Sequence, residues 1–152
     1  MRARLASLLL LVALVTGCDS AGLVLDSQFY VGSWRLVSVS DDSGDRSDEV
    51  FAAVDDLDAR FAANSSFSLD VDFNVVVNAA GQDDIALDGT YQATDDALIL
   101  VFDGGIAATF LVDAESQGRV DLTVPGALIS QIFGTQIPVS FDGDVVLGIR
   151  RQ

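Results

Sequence analysis

Apolar and polar residues alternate strictly along residues 66–73, where Phe67, Leu69, Val71 and Phe73 share one face and Ser or Asp residues share the other. A period of two is the spacing of a half-buried β-strand, because successive side chains point to opposite faces. The same pattern, bounded by clusters of Gly, Asp, Ser and Thr, predicts strands at 34–40, 75–78, 85–93, 98–102, 108–113 and 119–124, and at either 139–141 or 145–150. Short strands at this near-regular spacing predict an antiparallel all-β sandwich or barrel.

Residues 48–61 break the alternation. Their apolar members Val50, Val54, Leu57 and Phe61 are separated by four, three and four positions, which places them on one stripe of an α-helix. The preceding serine can cap the first turn, and the acidic residues that follow it favour a helix N-terminus. We therefore expect a helix that lies across one mouth of the barrel as a lid. Packing on the outer wall is the alternative.

A second interruption falls at residues 125–134. Leu128, Ile129, Ile132 and Phe133 lie between a Pro-Gly pair and a glycine. Their spacing predicts a helix of two turns. A short apolar strand remains open, because runs of this length do not distinguish the two structures.

The first 18 residues have the layout of a secretory signal peptide. Arginines at positions 2 and 4 precede an apolar stretch over 5–15, which is too short for a membrane-spanning helix. The residues Val15-Thr16-Gly17-Cys18 resemble the lipobox of bacterial lipoproteins. That resemblance implies removal of residues 1–17 and fatty acylation (palmitate or a similar chain) of the Cys18 sulfur and its new amino group. An ordinary signal peptide with a chance cysteine is the alternative.

The lipobox also implies a location. The protein is expected in the cell envelope, attached to a bacterial membrane through Cys18, and either facing the periplasm or exposed at the surface. Asp19 resembles the residue that keeps enterobacterial lipoproteins in the inner membrane, but other bacteria follow other rules, so the choice of membrane stays open. Residues 18–29 then form a lipidated tether, and 30–152 form one domain.

The amino-acid composition limits the catalytic and binding chemistry that this protein can perform. The chain has 23 acidic residues, eight arginines, no lysine, no histidine and one cysteine. Removing residues 1–17, which hold two arginines and no acid, changes the formal net charge from −15 to −17. Such a charge disfavours nucleic acid and anionic lipid headgroups as partners. Without His, Lys or a free Cys, imidazole, Schiff-base and thiol catalysis and Cys/His zinc sites are excluded. We expect that the protein binds no cofactor or metal and that it is not an enzyme.

Several acidic motifs superficially suggest other chemistry. Asp70, Asp72 and Asn74 have the spacing that opens a calcium loop, but the sixth and twelfth positions lack the required Gly and Glu. The two aspartates also fall on the polar face of the clearest strand, which favours a solvated surface. The segment 41–45 is an oxygen-rich turn. The adjacent pairs Asp55/Asp56 and Asp83/Asp84 could serve a glycosidase, although such pairs arise from composition alone.

The entry into the first strand carries a family resemblance. Gly32-Ser33-Trp34 looks like the Gly-x-Trp signature of lipocalin-like domains, and residues 89–100 are similar to their middle hairpins. The resemblance implies a small up-and-down antiparallel barrel, in which Gly32 allows a tight turn and Trp34 closes one end. The other secreted-lipocalin motifs are absent. A compact META-type β-domain is the alternative, although its Gly-Cys-Asn segment is also absent.

In lipocalin-like barrels a basic side chain from the last strand covers that Trp. We predict Arg150 for this role, with Arg151 second and Arg119 third. Together with the lipobox, the resemblance implies a membrane-anchored protein that binds a small hydrophobic ligand inside the barrel. The alternatives are a structural or protein-interaction envelope lipoprotein with a filled barrel, and a hydrolase of a kind that the sequence does not reveal.

Overall fold

The computed structural model describes residues 25–73, 83–134, 137 and 139–152. Within them the helices are α1 (Ser27–Tyr30), α2 (Ser47–Phe51) and α3 (Gly126–Phe133). The strands are β1 (Gly32–Asp41), β2 (Gly44–Asp45), β3 (Val54–Phe61), β4 (Ser66–Phe73), β5 (Ile85–Ala93), β6 (Ala97–Phe102), β7 (Ala107–Ser116), β8 (Arg119–Pro125) and β9 (Asp144–Arg151). Cys18, the predicted signal peptide and the predicted strand at 75–78 lie outside these residues.

The nine strands in the described segments form one antiparallel sheet in the order β2-β1-β3-β4-β5-β6-β7-β8-β9. Pairing of β1 with β9 closes the sheet into an eight-stranded up-and-down barrel. The two-residue β2 is not part of this barrel and pairs only with the last two residues of β1. Closure removes the exposed edges of an open sheet. The predicted all-β barrel is confirmed, as is the predicted pairing of the first and last strands, with three short helices where one or two were expected.

The strands alternate in direction, so their connections fall at two distinct ends. The closed end contains α1, the turns 62–65, 94–96 and 117–118, and the C-terminus. The mouth contains the segment 42–53 with α2, the turn 103–106, and α3 with the described residues that follow it up to the start of β9. Both α2 and α3 therefore interrupt the sheet at the same end.

Inward side chains alternate with outward ones along each strand, as the sequence pattern predicts. In β4, residues Phe67, Leu69, Val71 and Phe73 are all buried and the intervening positions are exposed or half-buried. One continuous hydrophobic core lies inside the barrel and includes side chains from α1, α2 and α3. Burial of these apolar faces is the main free energy that favours the closed sheet.

The long helix predicted over 48–61 is wrong beyond Phe51, because Val54–Phe61 is strand β3. A β-bulge explains the misleading pattern: the register with β4 shifts between Val54 and Asp56, and one residue is unpaired. The extra residue lets Val54 and Leu57 both face inward although they are three positions apart. The bulge, together with Val50 on the short α2, imitates the spacing of a helix.

The other two ambiguous segments resolve clearly. Residues 126–133 form the helix α3 rather than a strand, and the last strand is β9 rather than 139–141. Helix α1 falls in the predicted tether. Asp26 caps it by accepting hydrogen bonds from the backbone N–H groups of Gln28 and Phe29, at 3.0 and 3.1 Å. The backbone carbonyl of Ser27 accepts a hydrogen bond from the hydroxyl of Tyr91 on β5, so contacts with the barrel begin within the predicted tether.

Candidate functional site

The barrel encloses a cavity of about 80 Å³ whose lining is entirely apolar. Inward side chains from seven of the barrel strands contribute to its wall, and α2, α3 and the segment after α3 contribute at the mouth. The lining residues are Leu36, Val39, Val50, Leu57, Ala59, Phe61, Leu69, Leu98, Leu100, Phe102, Phe110, Leu122, Ile129, Ile132, Phe133, Ile137, Phe141, Leu147 and Ile149. With no polar side chain to fix a headgroup, the cavity suits only a hydrocarbon or the apolar part of a larger molecule.

At the mouth, the cavity is covered by side chains from two short helices. Val50 of α2 and Ile129 and Phe133 of α3 are buried, whereas Ile132 and Phe141 are only half-buried. The predicted lid is therefore wrong in its extent, but α2 does lie at the mouth and Val50 lines the cavity. The larger part of the cover over the mouth is α3, which joins β8 to β9.

A buried carboxylate joins the two sides of the mouth. The side chain of Asp41 accepts hydrogen bonds from the backbone N–H and hydroxyl of Ser43 at 2.9 and 2.6 Å, from Arg46 Nη1 at 2.8 Å and from the backbone N–H of Asp142 at 3.0 Å. These bonds, with the Ser43 hydroxyl as the largest cause, lower the pKa of Asp41 to about 2. The predicted oxygen-rich turn at 41–45 is thus a link between the start of α2 and the segment before β9.

The closed end is built around Trp34, which is fully buried as its predicted role requires. Its indole N–H donates a hydrogen bond of 2.7 Å to the backbone carbonyl of Tyr30. Phe29 and Tyr30 pack against it in tilted contacts, with ring centroids 5.7 and 6.1 Å from that of Trp34. Further edge and tilted contacts lead from Tyr30 to Phe61, and from Phe61 to Tyr91 and, through Phe67, to Phe102. Such aromatic pairs add to the free energy of burial.

Gly32 is required by its backbone conformation. Its φ is +127°, a region that side chains with a Cβ avoid. This conformation turns the chain from α1 into β1 and brings Trp34 beneath the helix. The structure therefore accounts for the glycine of the Gly-x-Trp motif in physical terms.

The residue that covers Trp34 is Arg151, not the predicted Arg150. The Arg151 guanidinium carbon lies 4.8 Å from the Trp34 ring centroid and 5.6 Å from that of Phe29. Arg151 also donates a hydrogen bond to the backbone carbonyl of Phe29. The reason is strand register: Arg151 is directly opposite Trp34, so both share the inward face, whereas Arg150 is opposite Arg35 on the outer face. The predicted guanidinium over the indole is confirmed, but it belongs to Arg151 rather than to Arg150.

The closed end also contains two tyrosines that the sequence analysis did not identify as site residues. The Tyr91 hydroxyl donates toward the backbone carbonyls of Ser27 and Ala62, at 3.0 and 3.1 Å, and so ties α1 to the far side of the barrel. Tyr30 is fully buried, and this burial raises its pKa to about 12. Both belong to the sealed end rather than to a reactive site.

The acidic motifs do not assemble into a metal or catalytic site in the described part of the chain, where no cluster of three or more Asp, Glu, Cys or His side chains has the geometry of a metal site. Asp70 and Asp72 lie on the exposed face of β4, and Asn74 is outside the described residues. Burial, and then the nearby carboxylates led by Asp84, raises the pKa of Asp72. Asp55 is exposed on β3. Asp84 Oδ1 accepts a hydrogen bond of 3.0 Å from the backbone N–H of Phe73.

Comparison with known proteins gives a fold resemblance only. No family model matches the chain, and no curated protein matches it. Among solved structures it is similar to a redesigned β-barrel, with a TM-score of 0.43 and 10% identity over 83% of this chain and 93% of that chain. In the described segments, no helix is both long and apolar enough to cross a membrane.

Proposed function

We propose that this chain is a lipid-anchored protein of the bacterial cell envelope whose lipocalin-like barrel binds a small hydrophobic ligand. The observation that carries the binding role is the wholly apolar cavity beneath α2 and α3. Its volume of about 80 Å³ is below the roughly 300–1,000 Å³ of pockets for drug-sized ligands. The ligand is therefore narrow, such as one end of a single alkyl chain, with the remainder at the mouth.

The anchor is supported by the lipobox that ends at Cys18. Two or three acyl chains on one residue bind a bilayer firmly, whereas a single chain binds reversibly. Cys18→Ser should therefore abolish processing or release the protein from the membrane fraction. Normal processing together with firm membrane association of this variant would contradict the anchor.

The binding role can be tested with a neutral fluorescent probe, N-phenyl-1-naphthylamine, whose emission rises in apolar surroundings. Ala59→Leu adds three carbons to the lining of the cavity and should abolish the signal. Ala107→Leu places the same side chain on the exposed outer wall and should leave the signal unchanged. Equal signals from both variants, or no signal from the wild-type protein, would contradict a ligand site inside the barrel.

A second function, a structural or protein-interaction lipoprotein with a filled barrel, is favoured by the small size of the cavity. Native mass spectrometry of the membrane-extracted protein separates the two. A co-purifying mass beyond the lipidated chain supports the carrier, whereas the lipidated chain alone, combined with no probe binding, supports the filled barrel. Binding rather than catalysis is proposed in both cases, because the chain has no histidine or lysine and its one cysteine is assigned to the anchor.

A further inference from the structure

The charged side chains around the mouth of the barrel are almost all acidic. In the segment that contains α2, four carboxylates are exposed, namely Asp42, Asp45, Asp48 and Glu49. Exposed aspartates also occur at 83 and 84 before β5, at 103 after β6, and at 142 and 144 where β9 begins. Residues 74–82, 135, 136 and 138 contain no charged side chain. Each connection at the mouth therefore contributes at least one exposed carboxylate.

Arg46 is the one cation at the mouth among the residues that the structure describes, and two carboxylates already bind it. Its Nη1 atom lies 2.8 Å from Asp41, and its Nη2 atom is bound to Glu49. The other described arginines lie in the closed-end half of their strands, at positions 35, 60, 119, 150 and 151. The described part of the mouth therefore offers no free guanidinium to an anionic group.

Helix α3, which covers much of the mouth, adds no positive charge. Its residues Gly126–Phe133 are all uncharged. A helix N-terminus attracts anions through its free N–H groups, but the Gly126 N–H already donates a hydrogen bond of 2.9 Å to the carbonyl of Gly143. Asp142 and Asp144 flank Gly143 in the chain. This helix end is therefore also unfavourable for an anion.

A ligand whose alkyl end occupies the cavity must leave its polar head at the mouth. The cavity lining is entirely apolar, so a charged or polar head buried there would have no partner, which is strongly unfavourable. The opposite end is sealed by the fully buried Trp34 and by Arg151 above it. The half-buried lining side chains of Ile132 and Phe141 lie at the mouth, where the cavity is nearest to solvent.

Carboxylates also lie next to the cavity along the chain. Asp103 directly follows Phe102, which lines the cavity. Asp142 directly follows Phe141, which lines it near solvent. Neighbouring Cα atoms are about 3.8 Å apart, which is less than the Debye length of about 8 Å at physiological ionic strength. A charged head at the mouth therefore interacts with these carboxylates with only partial screening by salt.

We propose that the ligand of the cavity is a single-chain amphiphile with a cationic head group, such as an alkyl ammonium, whose head lies among the carboxylates of the mouth. This inference rests on the proposed binding role of the cavity and names the class of ligand. A cationic head is attracted there, an uncharged head gains and loses little, and a carboxylate or phosphate head is repelled. For equal alkyl chains, the affinity therefore falls from cationic through neutral to anionic ligands.

The test compares dodecyltrimethylammonium, dodecanol and dodecanoate, which share one alkyl chain and differ in the charge of the head. Each competes with N-phenyl-1-naphthylamine for the purified protein in detergent-free buffer, below the concentrations at which micelles form. At about pH 8 the dodecanoate carboxylate is ionised. Dodecyltrimethylammonium should bind about tenfold more tightly than dodecanol, and dodecanoate about tenfold more weakly. Raising the salt from about 0.1 M to about 1 M should bring the three affinities closer together.

Two double variants distinguish the mouth from the acidic surface as a whole. Asp103→Asn with Asp142→Asn removes two exposed carboxylates at the mouth, whereas Asp95→Asn with Asp113→Asn removes two exposed carboxylates toward the closed end. The mouth variant should lower the preference for the cationic over the anionic ligand about fivefold. The closed-end variant should leave this preference unchanged. Dodecanol should bind both variants as it binds the wild type, because its head is uncharged.

The possible failures separate the charge preference from the binding role. Equal affinities of the three ligands, tighter binding of dodecanoate than of dodecyltrimethylammonium, or equal effects of the two double variants would overturn the cationic class, while the binding of dodecanol would still support the cavity as a site. Failure of all three ligands to displace the probe would contradict the binding role and, with it, the class of ligand.

Discussion

The two ends of the barrel are closed in different ways. At the closed end, Trp34 is fully buried beneath α1, its N–H is satisfied by a backbone carbonyl, and Arg151 covers its ring. At the mouth, α2 and α3 cover the cavity with aliphatic and Phe side chains, several of them half-buried. Hydrogen bonds to the Asp41 carboxylate link the two sides of the mouth at its edge. One end is fixed by directional contacts, and the other is covered by apolar contacts that have little directionality.

This difference indicates which end can open. Hydrogen bonds and cation–π contacts hold only in a narrow range of geometry, whereas apolar side chains repack at modest cost. Local opening is easiest in elements with few buried contacts and exposed backbone hydrogen bonds. We therefore expect a ligand to enter between α2 and α3, and we expect the closed end to stay intact when it does.

The largest predicted effect is at the closed end. Trp34→Ala should lower the free energy of unfolding by about 3–5 kcal/mol, because it removes the largest buried side chain. Phe133→Ala on α3 should cost less than about 3 kcal/mol, because this ring already borders a void and has fewer atoms packed against it. Urea unfolding of both variants measures the difference. A greater loss from Phe133→Ala would reverse the proposed roles of the two ends.

The second prediction separates two adjacent arginines. Arg151→Gln should lower the free energy of unfolding by about 0.5–2 kcal/mol through loss of the contact with Trp34. Arg150→Gln should change it by less than about 0.5 kcal/mol, because that side chain is exposed on the outer face. Thermal unfolding of this pair, matched in charge and chemistry, distinguishes them. Equal effects would mean that Arg151 does not stabilise the closed end.

The third prediction concerns the mouth and depends on pH. The folded state lowers the pKa of Asp41 from 3.8 to about 2, so the carboxylate stabilises the fold above pH 4 and this contribution is lost as the pH falls toward 2. Asp41→Asn should therefore be less stable than wild type near neutral pH, and the difference should shrink below pH 4. Parallel unfolding curves from pH 7 to pH 2 measure it. A difference independent of pH would contradict the assigned role of the carboxylate.

The barrel was predictable because the signal for it is repeated. Period-two alternation in many separate segments, of which β4 is the clearest, points to one all-β answer. The helix prediction for residues 48–61 was wrong beyond Phe51 because a bulge between Val54 and Asp56 shifts the phase of the alternation by one residue. A one-residue shift of this kind depends on the partner strand and leaves no local signature in the sequence.

The site was predictable only in part, for the same reason. Gly32 and Trp34 were identified by motif, and their roles follow from a positive φ and from complete burial. The choice between Arg150 and Arg151 required the register of β9 against β1, since a shift of one residue moves a side chain to the other face. The link through Asp41 joins residues about a hundred positions apart, which no local pattern reveals.

The most direct test of a sealed end opposite an opening end is amide hydrogen exchange on the purified protein, with and without dodecanol as a neutral alkyl ligand. We predict that α2 and α3 exchange faster than β1 and β9 near Trp34 and Arg151, and that dodecanol slows exchange in α2 and α3 while the closed end is unchanged. Uniform exchange at the two ends, or slowing by dodecanol at the closed end alone, would contradict the account.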